Sequence, residues 1–112
     1  GRSIASTVLP APGEGPSPEL REQGYFKGTL VGKGENAQGR PVEVRVKING
    51  KRDPGYGATA RMLGEAAVCL AKDRDLLPEQ AGILTPSTAM GDALVQRLES
   101  NAEVTFEAKA WS

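Results

Sequence analysis

Side chains that could do chemistry gather just ahead of two segments that begin like helices. Arg52, Asp53 and Tyr56 lie before the first segment, and Thr85 lies before the second. An aspartate or threonine followed by proline is typical of a helix N-cap, which is a structural role. The glycines on either side of Tyr56 would leave backbone N–H groups open at a helix N-terminus, where anions bind. Both a capping role and a substrate-facing role therefore stay open for these four residues.

Other reactive groups in the sequence favour structural interpretations. There is no histidine, so the commonest general base and metal ligand is absent. Cys69 falls inside a helical pattern with no base beside it, which favours packing over nucleophilic catalysis. Asp73, Asp75 and Glu79 follow or alternate with lysine and arginine, as at a solvated helix end. No Cys/His cluster has metal-ligand spacing, so the sequence predicts no metal site.

Composition narrows the classes of protein to consider. The 112 residues suit one domain, and a formal net charge of zero argues against nucleic-acid binding. No apolar run approaches the roughly 20 residues that a membrane-spanning helix needs. A single cysteine fits a reducing compartment, so a cytoplasmic location is expected. Because the sequence starts with glycine rather than methionine, we expect a piece of a longer protein.

Two regions differ in their secondary-structure signals. Residues 1–24 are rich in proline and glycine and predict an extended arm or linker, with room for a short strand at 3–8. Residues 25–112 form the predicted domain. Apolar residues alternate with polar ones over 26–32 and 42–48, which predicts two strands joined by a turn at 34–39. Asn49-Gly50 is a turn signal and predicts the end of the second strand.

Two helices and a third strand are predicted to follow. The first helix has an apolar stripe at helical spacing, formed by Met62, Leu63, Ala66, Ala67 and Leu70. The second begins at Thr85-Pro86, has a stripe of Met90, Leu94 and Leu98, and ends near Asn101. Alternation over 104–109 predicts the last strand. The order β-β-α-α-β predicts an α+β fold, a two-layer sandwich with a small antiparallel sheet covered on one face by two helices.

This arrangement carries three physical expectations. Val44 should lie in the core, so that Val44→Asp would bury an unpaired carboxylate and unfold the domain. The small residues of the helix bodies should permit close packing against a neighbour: Gly64, Ala66, Ala67, Gly91 and Ala93. Unpaired outer sheet edges and a detached arm suggest that a partner covers them, either another copy or the rest of a larger protein.

Several motifs occur in an order that resembles a known family. They lie at 9–17, 21–26, 53–57, 59–60, 62–67, 84–86 and 89–94, and residues 93–106 match a typical closing helix and strand. The sequence resembles the C-terminal part of saccharopine dehydrogenase-like oxidoreductases, in particular the bacterial branch called trans-acting enoyl reductases. The similarity extends over nearly the whole chain.

The resemblance implies a larger parent enzyme. Family members carry an N-terminal Rossmann domain that binds NAD(P), and this sequence has no strand-GxGxxG-helix unit of that kind. The chain would then be a substrate-side or dimerisation domain that is inactive alone and binds no cofactor itself. Its partners would be its own Rossmann domain and further copies of the chain. The alternative is a structural or oligomerisation module with no direct role in catalysis.

Overall fold

A computed structural model describes residues 13–111. Its elements in chain order are α1 (Pro18–Gln23), β1 (Tyr25–Glu35), β2 (Pro41–Lys51), α2 (Gly57–Lys72), a 3₁₀ turn (Arg74–Leu76), α3 (Pro86–Asn101) and β3 (Val104–Trp111). The strands form one antiparallel sheet in the order β1-β2-β3. This is the predicted α+β fold.

The arm contains a helix that the sequence interpretation missed. Residues Pro18–Gln23 are helical, because Pro18 stands at the first turn, where a missing N–H costs nothing, and the Ser17 hydroxyl accepts a hydrogen bond from the Leu20 N–H at 3.2 Å. The expectation of an extended arm is therefore wrong for this part of residues 1–24. The predicted short strand at 3–8 lies outside the described residues.

The β1–β2 hairpin has its turn where the sequence predicts it. The Asn36 side-chain oxygen accepts hydrogen bonds from the Gln38 and Arg40 N–H groups, both at 3.0 Å, and Gly39 has a φ of 70°. The second strand does not end at Asn49-Gly50 as expected but continues to Lys51. Gly50 is needed there because a Cβ at this position would lie 2.0 Å from the Phe26 ring.

The core lies where the helices meet one end of the sheet. Leu98 of α3 and Ala102, the residue just after that helix, pack with Val104 of β3. Partly buried residues surround them: Phe26, Ile48, Met62, Leu94 and Phe106. A second buried cluster joins the two helices through Cys69, Met90 and Ala93. The predicted stripe of α3 is thus confirmed.

The helices do not cover the half of the sheet that lies far from the core. Strand pairing places Leu30, Val44 and Val46 on the same face as the core residue Ile48. Val44 is nevertheless 39% exposed, and Leu30 and Val42 are exposed as well. The expectation that Val44 lies in the core is wrong, because alternation identifies the apolar face but not how far the helices extend over it.

The faces of α2 also differ from the prediction. Met62 and Ala66 point inward as expected, whereas Leu63 is 70% and Leu70 is 52% exposed, and Ala67 is exposed too. Apart from the helix's own backbone, no atom lies within 4 Å of a Cβ placed at Gly64 or Gly91. Neither glycine therefore packs against a close neighbour within the described residues. Gly91 instead has a φ of 48° and a ψ of −133° and makes a kink in α3. Helix α3 ends at Asn101 as predicted. The residue with a left-handed backbone is not Asn101 itself but Glu103, two residues later.

Candidate functional site

Arg52 and Glu103 meet where β2 ends and β3 begins. Both adopt left-handed backbone conformations, with φ values of 77° and 59°. Such conformations are uncommon for residues other than glycine. The Lys51 N–H donates to the Glu103 carbonyl at 3.2 Å, which continues the strand ladder into this corner. The Arg52 Nε donates to the Glu103 carboxylate at 2.9 Å and joins the two strained residues directly.

Three cations surround that carboxylate and form what we call the Glu103 cluster: Lys51, Arg52, Arg61 and Glu103. Besides Arg52, the Arg61 Nη1 lies 3.3 Å and the Lys51 Nζ lies 3.9 Å from the Glu103 carboxylate. The hydrogen bond from Arg52, followed by the charges of Arg52, Arg61 and Lys51, lowers the pKa of Glu103. The cluster has three cations and one anion, so its surroundings are electropositive.

Asp53 binds the helix N-terminus that an external anion would otherwise occupy. Its carboxylate accepts a hydrogen bond from the Tyr56 N–H at 2.7 Å. That bond, with smaller contributions from the N–H groups of Gly55 and Gly57, lowers the pKa of Asp53. The helix begins at Gly57, three residues later than an Asp53 N-cap with Pro54 as the first helical residue would require. Asp53 is therefore not the N-cap, which is Tyr56, but its carboxylate holds the turn that leads into the helix.

The loop from Arg52 to Gly57 is closed by α1. The Asp53 N–H donates to the Arg21 carbonyl at 3.0 Å, and a Cβ at Gly57 would lie 2.6 Å from the same carbonyl oxygen. The Tyr56 ring lies 3.6 Å from a Cβ position at Gly15, so the preceding segment contacts this loop too. Residues 55–60 have the spacing Gly-x-Gly-x-x-Ala, but Arg21 fills the space that a pyrophosphate would need.

A cleft of about 330 Å³ opens beside the Glu103 cluster on the polar face of the sheet. Its lining residues are Tyr25, Phe26, Lys27, Asn49, Gly50, Lys51, Glu103 and Thr105. The surface that lines the cleft is nearly all apolar, although Lys27, Asn49 and Lys51 are among the lining residues. The volume is at the lower end of the range for small-molecule sites.

Thr85 lies at the other end of α3 from Glu103. Its side-chain oxygen accepts from the Thr88 N–H at 3.4 Å and lies 2.9 Å from the Thr88 hydroxyl, so it is the predicted N-cap with Pro86 behind it. A groove of about 1030 Å³ lies nearby, lined by Leu70, Arg74, Asp75, Leu77–Gly82, Leu84 and Ala89. The structure brings Arg52, Asp53 and Tyr56 together and places Thr85 elsewhere.

An ionic cluster between the helices escaped the sequence interpretation. Arg97 of α3 forms an ion pair with Asp73 and another with Glu65 at 3.0 Å, and all three side chains are partly buried. The hydrogen bond from Arg97 lowers the pKa of Asp73, and burial raises the pKa of the Cys69 thiol beside it. Asp73 is thus not the solvated end residue that the sequence suggested. Helical spacing of Glu65, Cys69 and Asp73 was the available signal, since it places them on one face.

Two further features are absent from residues 13–111. No helix there has the length and apolar composition that a bilayer crossing requires. The cysteine, aspartate and glutamate side chains of the same residues form no cluster that could hold a metal ion.

Comparison with known proteins finds relatives of one kind. A protein of Mycobacterium tuberculosis, provisionally named a trans-acting enoyl reductase, is 43% identical over 97 residues, which are 87% of this chain and 22% of the relative. Proteins of Mycobacterium ulcerans and Mycobacterium bovis named trans-acting enoyl reductase are 37% identical over 97 residues, with the same coverage. The chain therefore spans 22% of the length of these curated relatives. No protein-family profile and no solved structure matches the chain.

Proposed function

We propose that this chain is the C-terminal, substrate-side domain of an NAD(P)-dependent oxidoreductase of the saccharopine dehydrogenase-like, trans-acting enoyl reductase kind. The observation that carries the proposal is the 43% identity over 87% of the chain to a relative of which these residues are only 22%. The rest of such a polypeptide has room for the Rossmann domain that would hold the nicotinamide. An enoyl reductase transfers hydride to a carbon–carbon double bond conjugated with a carbonyl group.

The geometry favours binding over proton transfer as this domain's contribution. The carboxylates of Asp53, Asp73 and Glu103 accept hydrogen bonds or ion pairs and have lowered pKa values, so they are poor general acids at neutral pH. The cleft beside the Glu103 cluster has an almost wholly apolar lining surface, which could contact the apolar part of a substrate. Arg52, Asp53 and Tyr56 do not line that cleft. They are the candidate substrate-facing residues of the adjoining loop, which the Asp53 carboxylate holds in place. Thr85 would face substrate only at the separate groove.

Turnover of the longer polypeptide tests this proposal. We expect Arg52→Met to lower kcat/KM by on the order of 10²-fold, because the loss of a positioning cation displaces the substrate. Tyr56→Phe should lower it too if the hydroxyl contacts substrate, while the ring still packs near Gly15. The assay follows oxidation of the reduced nicotinamide with an enoyl thioester, and Lys109→Met, on an exposed part of β3, is the matched control.

A structural control separates substrate contact from folding. Glu103→Gln removes the carboxylate charge that holds Arg52 but leaves the guanidinium present. If Arg52→Met and Glu103→Gln lower the unfolding midpoint equally and neither changes kcat/KM, the substrate-facing role of Arg52 is lost.

The second candidate is an association module with no direct role in catalysis. Exposed apolar residues on the far half of the sheet and on α2 favour it. In that case, substitutions around Arg52 would leave turnover unchanged. Substitutions on the exposed apolar surfaces would alter assembly instead.

A further inference from the structure

Helix α2 is apolar on the side that faces away from the core. Its exposed residues Leu63, Gly64, Ala67, Val68, Leu70 and Ala71 form what we call the outer α2 face. The one charged residue between Arg61 and Lys72 is Glu65, and its carboxylate turns inward to Arg97 and Asn101, at 3.0 and 3.1 Å. A helix that is apolar on all sides is normally buried on all sides.

The outer α2 face has the shape of a helix-packing surface. Leu63, Gly64, Ala67, Leu70 and Ala71 follow one another at helical spacing and so lie in one stripe. Small residues between the two leucines allow the backbone of a neighbouring helix to approach closely, toward the lower end of the usual 8–10 Å between helix axes. The space over Gly64 is open within the described residues.

The outer α2 face adjoins the groove of about 1030 Å³, whose lining has both polar and apolar parts. Leu70 belongs to both, and Leu77 and Leu84 line the groove as well. Leu76 and Ile83, in the segment that borders it, are exposed. One occupant could therefore cover the outer α2 face and enter the groove with apolar side chains.

We propose that the outer α2 face is covered by a helix with large apolar side chains from the remaining part of the same polypeptide. This rests on the proposed function, since relatives extend far beyond the 22% that the chain matches. The face has no charge with which to recognise an ionic partner. The area of one face of α2, roughly 24 by 10 Å for its 16 residues, is small. It is far below the ~800 Å² that each partner buries in a stable interface between separate chains. A covalently joined partner avoids much of the entropic cost of association.

Thiol labelling of the longer polypeptide tests this inference. Ala67→Cys places a thiol on the outer α2 face, Ala60→Cys is a second probe one heptad earlier, and Gln96→Cys is the control on the exposed side of α3. Labelled peptides are read by mass spectrometry, whose fragment ions separate position 67 from the native Cys69. We expect the thiols at 67 and 60 to react at least about tenfold more slowly than the thiol at 96, because reaction needs local opening.

The 112-residue chain itself provides the comparison. There the three introduced thiols should react at similar rates at all protein concentrations. Equal reactivity in the longer polypeptide would overturn the inference. Protection of the 112-residue chain that grows with concentration, together with a dimer mass by light scattering, would also overturn it and assign the face to a second copy. Labelling does not depend on catalysis, so a polypeptide without reductase activity that still protects position 67 would reject the proposed function alone.

Discussion

Asp53 places its own carboxylate where a helix N-terminus would otherwise accept an anion. The sequence predicts a cap in this loop, because aspartate before proline is a start signal. It could not predict that α1 closes the loop, since the contact from the Asp53 N–H to the Arg21 carbonyl joins residues 32 positions apart. Likewise, Arg97 bridges Glu65 and Asp73 through folding of the two helices against each other. Local sequence patterns cannot predict the role of a residue when that role depends on a partner far away in the sequence.

The two helical glycines give opposite predictions. Gly64→Ala should raise the free energy of unfolding by roughly 0.5–1 kcal/mol, because alanine favours the helix and the position is open. Gly91→Ala should lower it by about 1–3 kcal/mol, because alanine resists a positive φ. Urea denaturation followed by circular dichroism measures both, and each variant serves as the control for the other. Equal shifts of the same sign would show that Gly91 is not held in the left-handed region.

The Arg97 cluster predicts how stability changes with acid. Asp73 has a folded pKa below its ordinary 3.8, so the stability that its ionised form provides is present above that value and is lost as pH falls through the folded pKa. In Arg97→Met this pKa should return upward, which makes stability fall less steeply between neutral pH and the acid limit. Urea midpoints across that range measure the slope, with Lys109→Met as control. A slope identical to that of the unchanged protein would contradict the assignment.

At the level of secondary-structure elements, the strands could be predicted from the sequence, whereas how far the helices extend over the sheet could not. Alternation over 42–48 places Val44 and Ile48 on one face, and the strand pairing agrees. Whether a residue on that face is buried depends on where the helices lie, and they reach only the end near Ile48. Helix α2 is apolar on all sides, so its sequence does not show which side faces the core. For this reason the predicted buried stripe wrongly includes Leu63 and Leu70, which are exposed.

Aspartate substitutions on the two halves of the sheet should differ sharply. Val104 is 1% exposed, so Val104→Asp buries a carboxylate at a cost of several kcal/mol and should abolish cooperative unfolding. Val44→Asp should cost about 1 kcal/mol or less, because its side chain reaches water. Circular dichroism and urea melts of both variants test this. A stable, cooperatively folded Val104→Asp protein would mean that the core has been placed at the wrong end of the sheet.

At the scale of the whole molecule, the fold is complete at one end and open at the other. The helices and the near half of the sheet form a continuous core, whereas the outer α2 face and the far half of the sheet lack cover within residues 13–111. In the curated relatives, the matching residues are only 22% of the length. The expectation from the small helical residues, that a neighbour packs closely against them, stays a prediction.

The three glycines of β1, at 28, 32 and 34, affect solubility as well as packing. The outer edge of β1 pairs with no other strand among the described residues and so presents free backbone groups along 11 residues. Such an edge can recruit strands from other molecules and begin aggregation. Glycine is a poor strand former, and Lys27 and Lys33 add charge on the opposite face. The glycines and lysines of β1 should therefore make its open edge a weak template for strands of other molecules.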